Sequence, residues 1–150
     1  MENWLVSASN LYALRAVAAW PLGSAPQLLT LGAMAASIAY HLIERRKHHM
    51  PGAVPFADGT LQQHQRFLNL DRASAATLGI YVAALAWRQR RYDLLATGGA
   101  ALLLNALSEA CRLVGVDAYV SAPLQRCWYM LWHCSWHVAA FHLVYALAPQ

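Results

Sequence analysis

The chain has 150 residues, of which 59% are hydrophobic and only 12% charged, about half the charged share of an ordinary soluble domain. Its formal charge is +4 and its pI about 9.2, yet the basic residues sit in short clusters at the ends of apolar segments: Arg45, Arg46 and Lys47, then Arg88, Arg90 and Arg91. A nucleic-acid partner would require them on one solvated surface with aromatics between, so this distribution speaks against nucleic acid and for anchoring beside anionic headgroups.

The three cysteines (Cys111, Cys127, Cys134) are odd in number and lie in or beside apolar segments, so they build no disulfide framework. Cys134 falls between two histidines but off their helical face, and reads as a small core hydrophobe. The start of the chain does not match a signal peptide. Glu2 stands where a positive region would be, Arg15 interrupts the apolar run, and Pro21 with Gly23 breaks the helix.

In chain order, hydrophobic helices are expected at 4–20, Ala25–Ile43, 67–87, 92–114 and 127–147. At 1.5 Å per residue a span wants about 20 residues, which the second and fifth meet comfortably and the first and fourth only marginally. Trp4, Trp20, Trp87, Tyr92 and Trp128 lie close to segment ends, as interfacial aromatics do. The segment 44–66 contains Met50-Pro51-Gly52, Pro55 and Asp58-Gly59 and is expected to be a loop. The other connections are short, which makes neighbours antiparallel. The expected fold is a single all-α domain, a polytopic transmembrane bundle of about five helices; its rival is a buried, Trp-rich soluble bundle.

Alternating direction brings the ionisable residues of these segments together. With the N-terminus on one face, the second helix ends there with His41, the third opens there with Asp71, and the fifth departs from it with His133 and His137. Counted inward at the helical rise, all four lie within roughly 10 Å of that face. Charged and ionisable groups at such depth mark function by default. His133 and His137, four apart, share one helical face, and Ser37 and His41 repeat the spacing. Three imidazoles with an open fourth position suit catalytic zinc. His41, His133 and His137 are therefore candidate Zn²⁺ ligands. Asp71 is a candidate to orient or deprotonate water, and Ser37 a candidate hydrogen-bond donor to that water or to a substrate oxygen.

Ser37-Ile-Ala-Tyr40-His41, Leu68-Asn69-Leu70-Asp71-Arg72 and His133-Cys-Ser-Trp136-His137 resemble the signature of the CREST superfamily of membrane hydrolases. That group contains the alkaline ceramidases, the adiponectin and progestin receptor family and the myomaker-like proteins. The Tyr-His ending and the His-x2-Trp-His pattern are most similar to the myomaker-like branch. The resemblance covers the second, third and last helices, and implies that the three histidines hold zinc with Ser37 and Asp71 as the accompanying polar pair. Members of the superfamily include lipid amidases, receptors and fusion factors. They usually span the membrane seven times; here a pair is missing between the third and last helices, which preserves the antiparallel relation of the second and last. The connection of 29 residues between His41 and Asp71 is also long.

The expected function is hydrolysis of a lipid amide or ester by zinc-activated water, with membrane lipids as partners and a homo-oligomer compatible with the sequence. A second possibility is a zinc clamp in a receptor, scaffold or membrane-remodelling protein. A third is a small bis-His haem protein. Asn105 and Glu109 could line the same cavity, although Glu109 could equally pair with Arg112. Arg15 needs a partner, His142 is turned from the metal-facing side as a hydrogen-bonded core residue, and His48, His49 and His64 belong to the loop. Arg45, Arg46, Lys47, Arg66, Arg72, Arg112 and Arg126 on the site's face outnumber Arg88, Arg90 and Arg91 opposite; the positive-inside rule favours that face in the cytoplasm, while the tight opposite cluster leaves orientation open.

Overall fold

A computed structural model of the chain describes residues 2–43, 61–118 and 123–149, with side chains over 4–43, 65–111 and 127–149. Within it the first apolar segment is not one helix. Glu2–Ser9 (α1) and Ala13–Ala19 (α2) flank a 3₁₀ turn at Asn10–Tyr12. The cause is local. Ser9 Oγ donates to the Val6 carbonyl at 2.7 Å and Asn10 Nδ2 donates to the same oxygen at 3.2 Å. Side chains that capture a carbonyl of the preceding turn compete with the helical ladder and bend it.

After α2 the chain reverses through a turn in which Ser24 N–H donates to the Pro21 carbonyl at 3.0 Å. Gly23 occupies its third position at φ 76°, the left-handed conformation that a type II turn demands and that glycine adopts without strain. Gln27 staples the turn: its Oε1 accepts from Gly23 N–H at 2.7 Å and its Nε2 donates to the Val17 carbonyl at 3.2 Å. The next helix, Ala25–Ile43 (α3), has the expected bounds.

The remaining helices outrun their expected ends. Leu61–Arg88 (α4) starts six residues before position 67, because Gln62 to Arg66 holds no breaker, so the end of the expected loop is helical; 44–60 lies outside the described residues. Tyr92–Ala118 (α5) continues beyond 114, and Pro123–Ala146 (α6) begins before 127 with Pro123 at its first position, where a missing N–H costs nothing. Between α4 and α5, Arg91 N–H donates to the Ala86 carbonyl at 2.9 Å and Arg90 N–H to that of Trp87 at 3.0 Å. This is the Schellman closure, with Arg90 at φ 58° in the place usually taken by glycine.

The described residues contain helices and no strand. α5 lies along α6 and α3 along α4, α1 and α2 pack across both α3 and α6, and α4 meets α5 over only a short stretch. Ala13, Ala16 and Ala33 pack with Leu78, Phe141 and Val144 where the first helices cross the others; alanines let helix backbones approach closely. Trp20 Nε1 donates to the Val144 carbonyl at 3.0 Å and pins the end of α2 to α6. Arg15 finds its partners on the same side, its guanidinium 4.1 Å above the Tyr145 ring and 3.4 Å from the Tyr12 hydroxyl, to which it donates.

Two helical stretches among the described residues, Ala25–Ile43 and Tyr92–Cys111, are long and apolar enough to cross a membrane. The segment 127–147, expected to be a comfortable span, is not one of them. Its tryptophans, tyrosines and histidines lower its mean hydropathy although it carries no Asp, Glu, Lys or Arg.

Candidate metal centre

His41 projects from the last turn of α3, and His133 and His137 from consecutive turns of α6. All three rings are buried, at 1%, 7% and 5% exposure. One ring nitrogen from each lies within 4.8 Å of the others. The closest pair is His41 Nε2 and His133 Nε2, 3.1 Å apart. Ring centroids are separated by 4.8 Å for His41 and His133, 5.5 Å for His41 and His137, and 4.7 Å for the two α6 rings. A tetrahedral ion with ligand bonds of about 2.0–2.1 Å holds its nitrogens about 3.3 Å apart; the closest pair is near that spacing, and the whole set lies within 4.8 Å. A buried three-histidine group that could hold a metal ion is thus present where the sequence spacing put it.

Neighbouring groups aim the rings. Ser9 Oγ lies 2.7 Å from His137 Nδ1, Ser108 Oγ 3.0 Å from His133 Nδ1, and Ser37 Oγ 3.4 Å from His137 Nε2. Tyr129, itself 1% exposed, stacks on His133 with centroids 5.1 Å apart and planes 22° from parallel. Tyr40 tilts against His41 at 4.9 Å. Ser9 stands where it does because of the helical break it helps to create, and Ser108 comes from the middle of α5. Sequence reasoning passed over both. The available signal was weak: Ser108 lies in the polar stripe with Asn105 and Glu109, and Ser9 adjoins an asparagine inside an apolar run.

The site borders a cavity of about 890 Å³ between α4 and the α5–α6 pair. Ser37, Asp71, His133 and His137 line it at one end, and residues such as Leu94 and Leu143 line it toward the other. Asp71 therefore lines the same cavity as two of the imidazoles. Asn105 and Glu109 line the cavity too. Glu109 meets Arg72 of α4 at 3.7 Å, both partly exposed, whereas the Arg112 side chain lies outside the described residues.

His142 is turned away from the metal-facing side, as expected, but it is exposed and not a core residue; its Nδ1 lies 3.4 Å from the Tyr12 hydroxyl. Its position one residue past buried Phe141 swings it to the outer face of α6. Cys134 is half-buried. His48, His49 and the side chain of His64 lie outside the described residues. Searches of protein-family models, of curated proteins and of solved structures each find no match to this chain.

Proposed function

We propose that this chain is a multi-pass membrane protein whose His41, His133 and His137 bind zinc for hydrolysis of a lipid amide or ester. The observation that carries this is the burial of three imidazoles whose ring nitrogens converge to within 4.8 Å at the edge of an apolar cavity. Desolvating three basic rings in one place is costly unless a cation is shared among them.

The surroundings support a lipid setting. Ile80, Leu102 and Leu103 are 73%, 63% and 60% exposed on α4 and α5, an apolar surface that water would penalise. Trp4, Trp87, Tyr92 and Trp128 are exposed near helix ends, as interfacial aromatics are. The resemblance of the Ser37–His41, Leu68–Arg72 and His133–His137 segments to the CREST superfamily points the same way.

When bound, zinc supplies Lewis acidity and lowers the pKa of its water ligand. Asp71, on the cavity wall, takes the proton from the attacking water and returns it to the leaving group. The Ser37 hydroxyl donates to the oxygen that gains charge. The apolar walls between α4 and α5 receive the acyl chain and keep bulk water from the carbonyl.

A second use of the same centre is a structural clamp, favoured by the number of elements it ties: α3 and α6 through the ligands, α1 and α5 through the serines. Asp71→Asn separates the two. In a hydrolase it lowers turnover by about 10²- to 10⁴-fold with zinc content unchanged; in a clamp it leaves function intact. A haem between His41 and His133 is disfavoured, since Nε2 atoms 3.1 Å apart leave no room for a porphyrin plane. Detergent-purified protein that carries no stoichiometric zinc by elemental analysis overturns the proposal.

A further inference from the structure

Ser9 and Ser108 each have one hydroxyl proton, and each has a backbone carbonyl placed to accept it. Ser9 Oγ donates to the Val6 carbonyl at 2.7 Å, and Ser108 Oγ donates to the Asn105 carbonyl at 2.8 Å. Both carbonyls lie three residues upstream on the serine's own helical turn, and neither can donate in return. A hydroxyl whose proton is committed to a carbonyl presents only lone pairs elsewhere. The Nδ1 atoms of His137 and His133, 2.7 Å and 3.0 Å from these oxygens, must then supply the proton. A neutral imidazole with its proton on Nδ1 carries its lone pair on Nε2.

We propose that Ser9 and Ser108 are positioning residues that lock His137 and His133 in the Nδ1–H tautomer, so that both Nε2 lone pairs are presented to a metal ion before it arrives. The inference rests on the zinc assignment above and adds to it the residues that prepare the site. His133 Nε2 faces His41 Nε2 at 3.1 Å. Two bare lone pairs do not face each other at that distance, so a hydrogen on His41 Nε2 donated to His133 Nε2, or a cation shared by both, fits the spacing.

The choice of partner also sets the character of the centre. Metal-ligating histidines commonly donate their second N–H to a carboxylate or carbonyl. Here both are neutral hydroxyls, Ser108 buried and Ser9 partly buried, each fixed by its own donated hydrogen bond. No negative charge is passed to the rings by this route, so a bound zinc keeps more of its positive charge for polarising water. The serines reach the site from α1 and α5, neither of which contributes a ligand. The 3₁₀ break at Asn10–Tyr12 and the polar stripe of α5 thereby acquire a purpose.

The test uses the full chain in detergent micelles. Zinc affinity, measured by competition with a chromophoric chelator, is expected to fall about 10- to 100-fold in Ser9→Ala and in Ser108→Ala, the usual cost of losing such a partner. Ser7→Ala is the control. Ser7 is buried and its hydroxyl has no hydrogen-bond partner among the described residues, so the affinity of this variant is expected to match the wild type. Long-range ¹H–¹⁵N correlation of the imidazoles in metal-free protein provides the readout that a merely structural role would not move. His133 and His137 are expected to show a protonated Nδ1 and an unprotonated Nε2, with His133 alone becoming a tautomer mixture in Ser108→Ala and His137 alone in Ser9→Ala. Wild type that binds zinc while both alanine variants match it in affinity and tautomer overturns the inference and leaves the zinc assignment standing. Wild type that binds no zinc overturns the zinc assignment, and the metal-free spectra still decide the tautomers. Nε2–H forms at His133 and His137 in wild type refute the lock in either case.

Discussion

At the scale of single residues, the centre depends on geometry that small changes destroy. His133 and His137 contribute two nitrogens from one rigid helical face, so His133→Ala or His137→Ala leaves a two-ligand site. Elemental analysis of purified protein is expected to show zinc retention lost in either variant, whereas His142→Ala, on the outer face of the same helix, keeps it. Ser37 and Asp71 differ from the ligands in kind. Ser37 Oγ is 3.4 Å from His137 Nε2, close enough to the assigned ligand atom for its hydroxyl to reach an oxygen bound beside it. Loss of either side chain is expected to affect turnover and to spare metal content.

At the scale of elements, two features stand apart from simple helix packing. The turn joining α4 to α5 places Arg90 at φ 58°, where a side chain costs about 1–2 kcal/mol relative to the right-handed region. Arg90→Gly is therefore expected to stabilise the protein by about 1 kcal/mol, read as a higher midpoint in thermal unfolding in detergent. Beyond that turn α4 and α5 separate, and the cavity occupies the gap. Gly79 on α4 and Gly99 on α5 line it, and a Cβ added at either meets nothing within 4 Å. Gly79→Phe and Gly99→Phe are expected to fit without disturbing the helices and to fill the space that the proposed acyl chain would occupy. Hydrolysis of long-chain lipid amides should fall at least about tenfold, equivalent to about 1.4 kcal/mol of transition-state binding, with zinc content unchanged. Unaltered long-chain turnover in both variants would place the acyl chain elsewhere.

At the scale of the whole molecule, the three-histidine group joins parts of the chain far apart in sequence. His41 and His137 belong to α3 and α6, with α4 and α5 between them in sequence, and the serines extend the network to α1 and α5. A ligand that binds only the folded state stabilises it by about 4 kcal/mol at a thousandfold excess over its dissociation constant. Chelation of zinc is accordingly expected to lower the thermal midpoint by several degrees, and His137→Ala to abolish the dependence on chelator. An equal midpoint with and without chelator would mean that the four elements hold together without the ion.

Much of this was legible in the residues alone, for definable reasons. The ligand trio and its accompanying Ser37 and Asp71 follow from the four-residue period of a helix and from strict alternation of direction, both of which survive errors of several residues in helix ends. The all-helical fold follows from long apolar runs without strand periodicity. Other features needed the third dimension. Ser9 and Asn10 compete for one carbonyl, and only the folded chain shows that this breaks the first helix and delivers Ser9 to His137. Glu109 reaches Arg72 because α4 and α5 are neighbours in space, a choice invisible along α5 itself. His142 turned outward and Ser108 inward according to which face each helix offers its partners. Spacing along one helix is a local property that sequence determines; which lone pair meets which proton is a contact between helices, and packing decided it.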